Sequence, residues 1–225
     1  MTNAVEARVR SVNVGSRETN PAKAVGVTGI GKRPVESALL RPPGPKDGGL
    51  GSGLVGDFVG DAENHGGDDQ AVYAFAREEL DYWEARLGRE LPDGMFGENL
   101  TTTGLDVDAA RVGDRWAVGD EVVLEVTGPR VACATFAHRM GEPRWVRTFT
   151  EVGRSGAYLA IVTGGTVRPG NAIRVLAQAA HDVPLPVLFA AYMGDLEATR
   201  VVLAADFLPQ EETEWLQERL DRRSH

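Results

Sequence analysis

Apolar positions along the chain change their spacing three times. Up to residue 60 they come in short runs, at 9–14, 24–30 and 35–40, interrupted by Gly15, Pro21, Gly29 and Gly31. Runs punctuated in this way predict strands and turns, and the Pro- and Gly-rich stretch at 42–53 predicts a surface loop. From Asp69 onward Val72, Phe75, Ala76, Leu80, Trp83 and Leu87 recur at helical intervals, with Arg77, Glu78, Asp81, Glu84 and Arg86 filling the other side. A helix over 69–87 is expected, capped by Asp68 or Asp69 and stopped at Gly88. Its aromatic residues Tyr73, Phe75, Tyr82 and Trp83 are expected to pack in the core.

Between 97 and 176 the pattern is mostly strand. Val122, Leu124 and Val126 alternate with Val123, Glu125 and Thr127, and turn signals recur at Gly104, Gly113-Asp114, Gly119-Asp120, Gly164-Gly165 and Pro169-Gly170-Asn171. Closely spaced strands and turns predict a small, strongly bent barrel or barrel-like sheet. A helix is expected at 143–152, where Trp145, Val146 and Phe149 share a face, and a buried strand at 158–162. Beyond 176 three short helices are expected, over 183–192, 196–205 and 211–222. Asp195 and Asp206 would start two of them, and Pro209 lies near the front of the last.

Composition narrows the function classes. The net charge of -9 and the scattered Lys and Arg residues leave no basic field for a phosphate backbone, which excludes nucleic acid as a partner. The longest apolar run, at 185–193, is far too short to span a membrane. The amino terminus, with Asn3, Glu6 and Arg8, lacks the apolar core of a signal peptide, so a cytoplasmic location is expected. Cys133 is the single cysteine, which precludes an internal disulfide and fits a reducing compartment.

That cysteine is also the leading chemical feature. A free cysteine is often only a small buried hydrophobe, but Arg130 lies three residues earlier, across a Pro129 turn that could fold its charge back onto the sulfur. A thiolate there would suit a soft metal, a persulfide or nucleophilic attack. Glu98 and Asn99 follow Gly97, where a close backbone approach could turn a carboxylate and an amide toward a ligand or simply close a turn. His65-Gly66-Gly67 reads similarly, as an anion-binding backbone pair with a proton carrier or as an ordinary turn. A Cys-His hydrolase through His65 or His138 has no orienting third group. Zinc-site spacing, a P-loop, a dinucleotide fingerprint and a nucleophile elbow are all lacking.

Taken together these residues resemble the MOSC domain, named for the carboxyl-terminal part of molybdenum cofactor sulfurase. The resemblance runs through Val55-Gly56-Asp57, His65-Gly66-Gly67, Ala71-Val72-Tyr73, Gly97-Glu98-Asn99-Leu100-Thr101, Val112-Gly113-Asp114 and Val118-Gly119-Asp120 to Pro129-Arg130 and Cys133. The tail is similar to the three-helix appendage of the YiiM-like bacterial subgroup. The fold implied is α+β, mainly β: a MOSC-type β-barrel with flanking helices over 1–176 and a small helical appendage over 177–225.

The resemblance further implies a molybdenum–pterin cofactor (molybdopterin) with Cys133 as the thiolate ligand of the metal. Glu98, Asn99 and His65 would line the pocket beside Gly97, and Arg130 and Lys32 would face the pterin phosphate. Glu98 or His65 would serve as the proton source. The activity implied is reduction of N-hydroxylated compounds such as hydroxylaminopurines, hydroxylamines and amidoximes. One cysteine cannot hold an iron–sulfur cluster, so a separate NAD(P)H-dependent electron donor is expected. A homodimer stays open, as does a non-redox carrier that holds a persulfide on Cys133, or an interaction module with a decayed site. The chain departs from many relatives, which carry Pro at the place of Ala132, Lys at Thr135, a basic residue at Gln70 and Pro at Asp68.

Overall fold

The computed structural model describes residues 6–224. In chain order the elements are β1 (Arg8–Gly15), β2 (Glu18–Thr19), β3 (Val27–Thr28), β4 (Lys32–Val35), β5 (Ala38–Leu40), a 3-10 turn (Asp68–Gln70), β6 (Val72–Ala76), α1 (Arg77–Leu87), β7 (Leu100–Thr103), β8 (Arg115–Val118), β9 (Val122–Pro129), α2 (Ala134–Met140), α3 (Trp145–Val152), β10 (Ala157–Thr163), β11 (Gly165–Val167), β12 (Ile173–Ala177), α4 (Leu185–Met193), α5 (Leu196–Ala205) and α6 (Gln210–Ser224). Eight strands form one sheet in the order β12-β8-β9-β10-β6-β7-β1-β4. Every pair in it is antiparallel except β6 and β7, whose parallel register is reached through the α1 crossover.

The expected α+β, mainly sheet architecture holds, but the sheet is open and not a closed barrel. It curls until the start of β1 meets the approach to β12, through a single Arg8–Ala172 bridge and an Ile173 amide donating to the Ala7 carbonyl at 2.8 Å. β4 remains an edge. Pro34 within it lacks the amide that a further strand would need.

The helix expected over 69–87 is corrected by β6. Strand β6 is buried at every position, with Val72 and Ala74 in one hydrophobic cluster and Tyr73 and Phe75 in another on the opposite face. A strand between two cores is apolar without alternation, and here its apolar residues happen to continue the register of the helix behind it. The helix starts only at Arg77, so neither Asp68 nor Asp69 caps it. Gly88 does end it, in a left-handed conformation with its amide donating to the Glu84 carbonyl at 2.8 Å.

The second cluster gathers Phe96, Phe136, Trp145, Phe149 and Phe189 around Trp83 beneath α1, α2 and α3. Helix α3 matches expectation, whereas α2, which follows Cys133 directly, was not foreseen. Strand β10 is buried on one face only, with Val162 exposed. The three carboxyl-terminal helices share a third cluster around Leu188, Val202 and Leu216. Asp195 caps α5 by accepting from the Ala198 amide at 2.8 Å. Asp206, expected to start a helix, instead ends α5 at φ 49°, a left-handed position that aspartate tolerates better than most residues. Among the described residues no helix is long and apolar enough to cross a membrane.

Candidate functional site

Strand β9 ends at Pro129, and the next turn delivers Arg130 and Cys133 to one wall of a cleft. The opposite wall comes from residues 27–32 and 57–66. Lys32, His65, Gly97, Asn99, Arg130 and Cys133 all line it, so six of the seven residues singled out in the sequence converge there. Tyr73 and Tyr158 of β6 and β10 close its floor.

Cys133 is partly buried and immediately precedes α2 in an extended conformation. Burial alone would push its thiol up. The hydrogen bond from His65, the charge of Arg130 and the amide of Phe136 outweigh that and bring the thiol down to about 6. At neutral pH the sulfur is therefore mostly thiolate. Alkylation by iodoacetamide is expected to rise with pH through a midpoint near 6. In His65→Ala the midpoint is expected to move upward, and a thiol that titrates in the ordinary range in the native protein would refute this electrostatic account.

Arg130 supplies charge without an answering carboxylate. Its guanidinium is buried, donates to the Phe96 carbonyl, and lies over the rings of Tyr73 at 4.8 Å and Phe136 at 4.3 Å. Among the described residues no Asp or Glu is within ion-pair distance of it. A buried, aromatic-clamped arginine in this state is a ready counter-charge for an anion entering the cleft.

Lys32, by contrast, is committed. Its Nζ donates to both oxygens of Asp57, at 2.5 and 2.7 Å, and both side chains are almost fully buried. Burial lowers the Lys32 pKa while the Asp57 charge opposes the shift. Asp57 also accepts from the Gly15 amide at 2.6 Å, Ser52 Oγ at 2.7 Å and Asn99 Nδ2 at 3.0 Å. Asn99 is similarly engaged: its Oδ1 accepts from the Tyr73 amide at 3.1 Å, and its Nδ2 also donates to the Asn13 carbonyl. These residues shape the cleft more than they offer free groups to it.

Glu98 is the one that does not line the cleft. Its side chain turns back into its own loop, where Oε1 accepts from the Gly94 amide at 2.6 Å and Thr101 Oγ1 at 2.8 Å, and Oε2 from the Phe96 amide at 3.0 Å. Burial raises its pKa against those hydrogen bonds. The loop so fixed is the one whose Phe96 carbonyl holds Arg130, and it needs Gly97 at φ 81°, where a Cβ would come 2.9 Å from Ile30 Cγ1.

His65 sits in a turn anchored by Asp61, which accepts the His65 amide at 2.9 Å and pairs with Lys23 at 2.7 Å. Its side chain reaches the sulfur from across the cleft. His138 lies exposed on α2 and does not line the cleft, so a Cys-His pair through it has no geometry. Sequence reasoning missed Asp57 and Tyr158 as parts of this site, while Gln70 was noted there only as standing where relatives carry a basic residue. Asp57 carried a signal in the Val55-Gly56-Asp57 turn.

Among the described residues, no group of three or more His, Cys, Asp and Glu is placed to hold a metal ion. A soft metal bound by Cys133 would thus bring its remaining ligands with it. A metal carried by a sulfur-containing anionic cofactor fits that donor set, with the thiolate for the metal and Arg130 for negative charge.

The MOSC domain model matches residues 61–174. YflK of Bacillus subtilis is 33% identical over 171 residues, which span 76% of this chain and 73% of YflK. A protein of Gibberella moniliformis named a reductase is 32% identical over 129 residues, 56% of this chain but only 23% of that protein. The crystal structure of YiiM from Geobacillus stearothermophilus aligns over 95% of this chain and 99% of its own, with a TM-score of 0.72 and 25% identity.

Proposed function

The chain belongs to the MOSC domain family, as a YiiM-like member, and from that premise we propose that it is a molybdenum-cofactor-dependent reductase of N-hydroxylated compounds. The family and the reductase relative support a function tied to the molybdenum cofactor. The observation that carries the finer reading is a thiol lowered to about 6 at the wall of a cleft that also holds a buried arginine free of any carboxylate.

Cys133 would hold the metal through its sulfur. Arg130 would face the anionic part of the pterin, and a phosphate near Lys32 would share that lysine with Asp57. When bound, the cofactor supplies a two-electron centre that removes oxygen from an N–O group. Overall, an N-hydroxyl substrate, two electrons and two protons yield the parent amine and water.

The chain's own part is to orient and to move protons. His65, hydrogen-bonded to the sulfur and open to the cleft, is positioned to protonate the departing oxygen. Glu98 is left to hold the loop, because both its oxygens are turned to internal donors. Tyr158 and Tyr73 line the floor with aromatic rings. Electrons would come from a separate NAD(P)H-dependent protein.

The test is turnover of benzamidoxime or a hydroxylaminopurine by protein from a cofactor-competent host, with reduced methyl viologen as donor. Formation of the amidine or aminopurine is expected. Fully molybdenum-loaded protein that reduces neither would overturn the reading, and a stable added sulfur on Cys133 without metal would favour a persulfide carrier.

A further inference from the structure

A second depression continues outward from the cleft. The two share His65, Gln70 and Tyr158. The outer one runs past Thr127 and Pro129 to a far wall made by Tyr192 and Met193 of α4 and by Glu212 and Trp215 of α6, and it is open to solvent.

Trp215 is the anomaly in this wall. Trp83, Trp116 and Trp145 are at most 2% exposed, while Trp215 is 42% exposed. It is nonetheless held in place. Arg219 lies over its indole at 4.5 Å and donates to the Tyr192 carbonyl at 2.8 Å, and the Tyr192 ring meets it edge-on at 5.9 Å. A large aromatic surface fixed against solvent offers a flat ligand a contact with little ordering cost.

The cleft is lined by both acidic and basic side chains, whereas the charged groups of this groove are acidic. Its acidic lining residues are Asp69 and Glu212, with His65 beside them and no lysine or arginine. Glu212 accepts from the Tyr192 hydroxyl, whose pKa is raised chiefly by burial, so that phenol stays a neutral donor. At the strip common to both depressions, Gln70 Oε1 is buried and lacks a hydrogen-bond partner. An unpaired buried acceptor is costly unless a ligand N–H meets it.

We propose that this outer groove is the subsite for the body of the substrate. It would take a flat aromatic or heteroaromatic ring carrying a cationic or N–H-donating group, such as an arylamidine or amino-heterocycle. The ring lies against Trp215, the donor group meets Glu212 and Gln70, and the N–O end points inward to Cys133. The orientation rests on the reductase reading; the binding does not.

The experiment titrates the cofactor-loaded protein with benzamidine by calorimetry, with benzoate and acetamidine as controls. Benzamidine is expected to bind the wild type best. Its affinity should fall about tenfold in Trp215→Ala and several-fold in Glu212→Gln, and Trp215→Tyr should restore most of the loss. Unchanged affinity in Trp215→Ala, benzoate binding as tightly as benzamidine, or no binding by the wild type would overturn the subsite. The two readings separate cleanly. Benzamidoxime turnover with the same KM in Trp215→Ala and wild type would sink the subsite and leave the reductase. Binding of benzamidine through Trp215 without any reductase turnover would do the reverse.

Discussion

Cys133→Ala is expected to lose at least about a thousandfold in N–O-reducing turnover, equivalent to about 4 kcal/mol of transition-state stabilisation, with little change in melting temperature. The asymmetry follows from the site. The sulfur is only partly buried where it packs against the second hydrophobic cluster, and alanine removes a single heavy atom there, so its loss costs little packing. Yet it is the one soft anionic donor in the cleft. Turnover within tenfold of wild type would mean that the thiolate does not hold the metal.

The largest stability effect is expected at Glu98. Alanine there leaves the Gly94 and Phe96 amides and the Thr101 hydroxyl without their acceptor in a fully buried pocket. At about 1–3 kcal/mol for each stranded donor, the loss should reach at least ~3 kcal/mol. For a chain of this size that lowers the melting temperature by roughly 10 °C. Glu98→Gln keeps one acceptor oxygen and should lose less. The alanine variant should also weaken the hold of the Phe96 carbonyl on Arg130, so its thiol titration should move upward with that of His65→Ala. A melting temperature within about 2 °C of wild type would remove Glu98 from this structural role.

These two residues mark what could and could not be read before folding. Cys133 and Arg130 were legible because their relation is local, a Pro129 turn between a strand end and a helix start. Gly97 was legible for a similar reason: only a glycine suits its backbone position against Ile30. Glu98 was seen, but its direction was not. A carboxylate after a glycine looks the same whether it faces a ligand or folds back on two amides, and the choice is made by donors at Gly94, Phe96 and Thr101.

Asp57 was harder still. Its four partners, Gly15, Lys32, Ser52 and Asn99, come from separate parts of the chain, and only the curled sheet gathers them. The same holds for His65 at the sulfur and for Gln70 between cleft and groove. Strand β6 failed for a different reason, since a doubly buried strand suppresses the alternation by which strands are recognised. The open sheet was read as a barrel because turn spacing reports curvature, while closure depends on the pairing of distant edges at β4 and β12.

The central claim is that this cleft binds molybdenum through Cys133. Its most direct test is X-ray absorption at the molybdenum edge on protein purified from a cofactor-competent host, wild type beside Cys133→Ser. Bound molybdenum with one fewer sulfur neighbour in the serine variant is the predicted result. An identical sulfur shell in both proteins, or wild-type protein that carries no molybdenum from such a host, would contradict it.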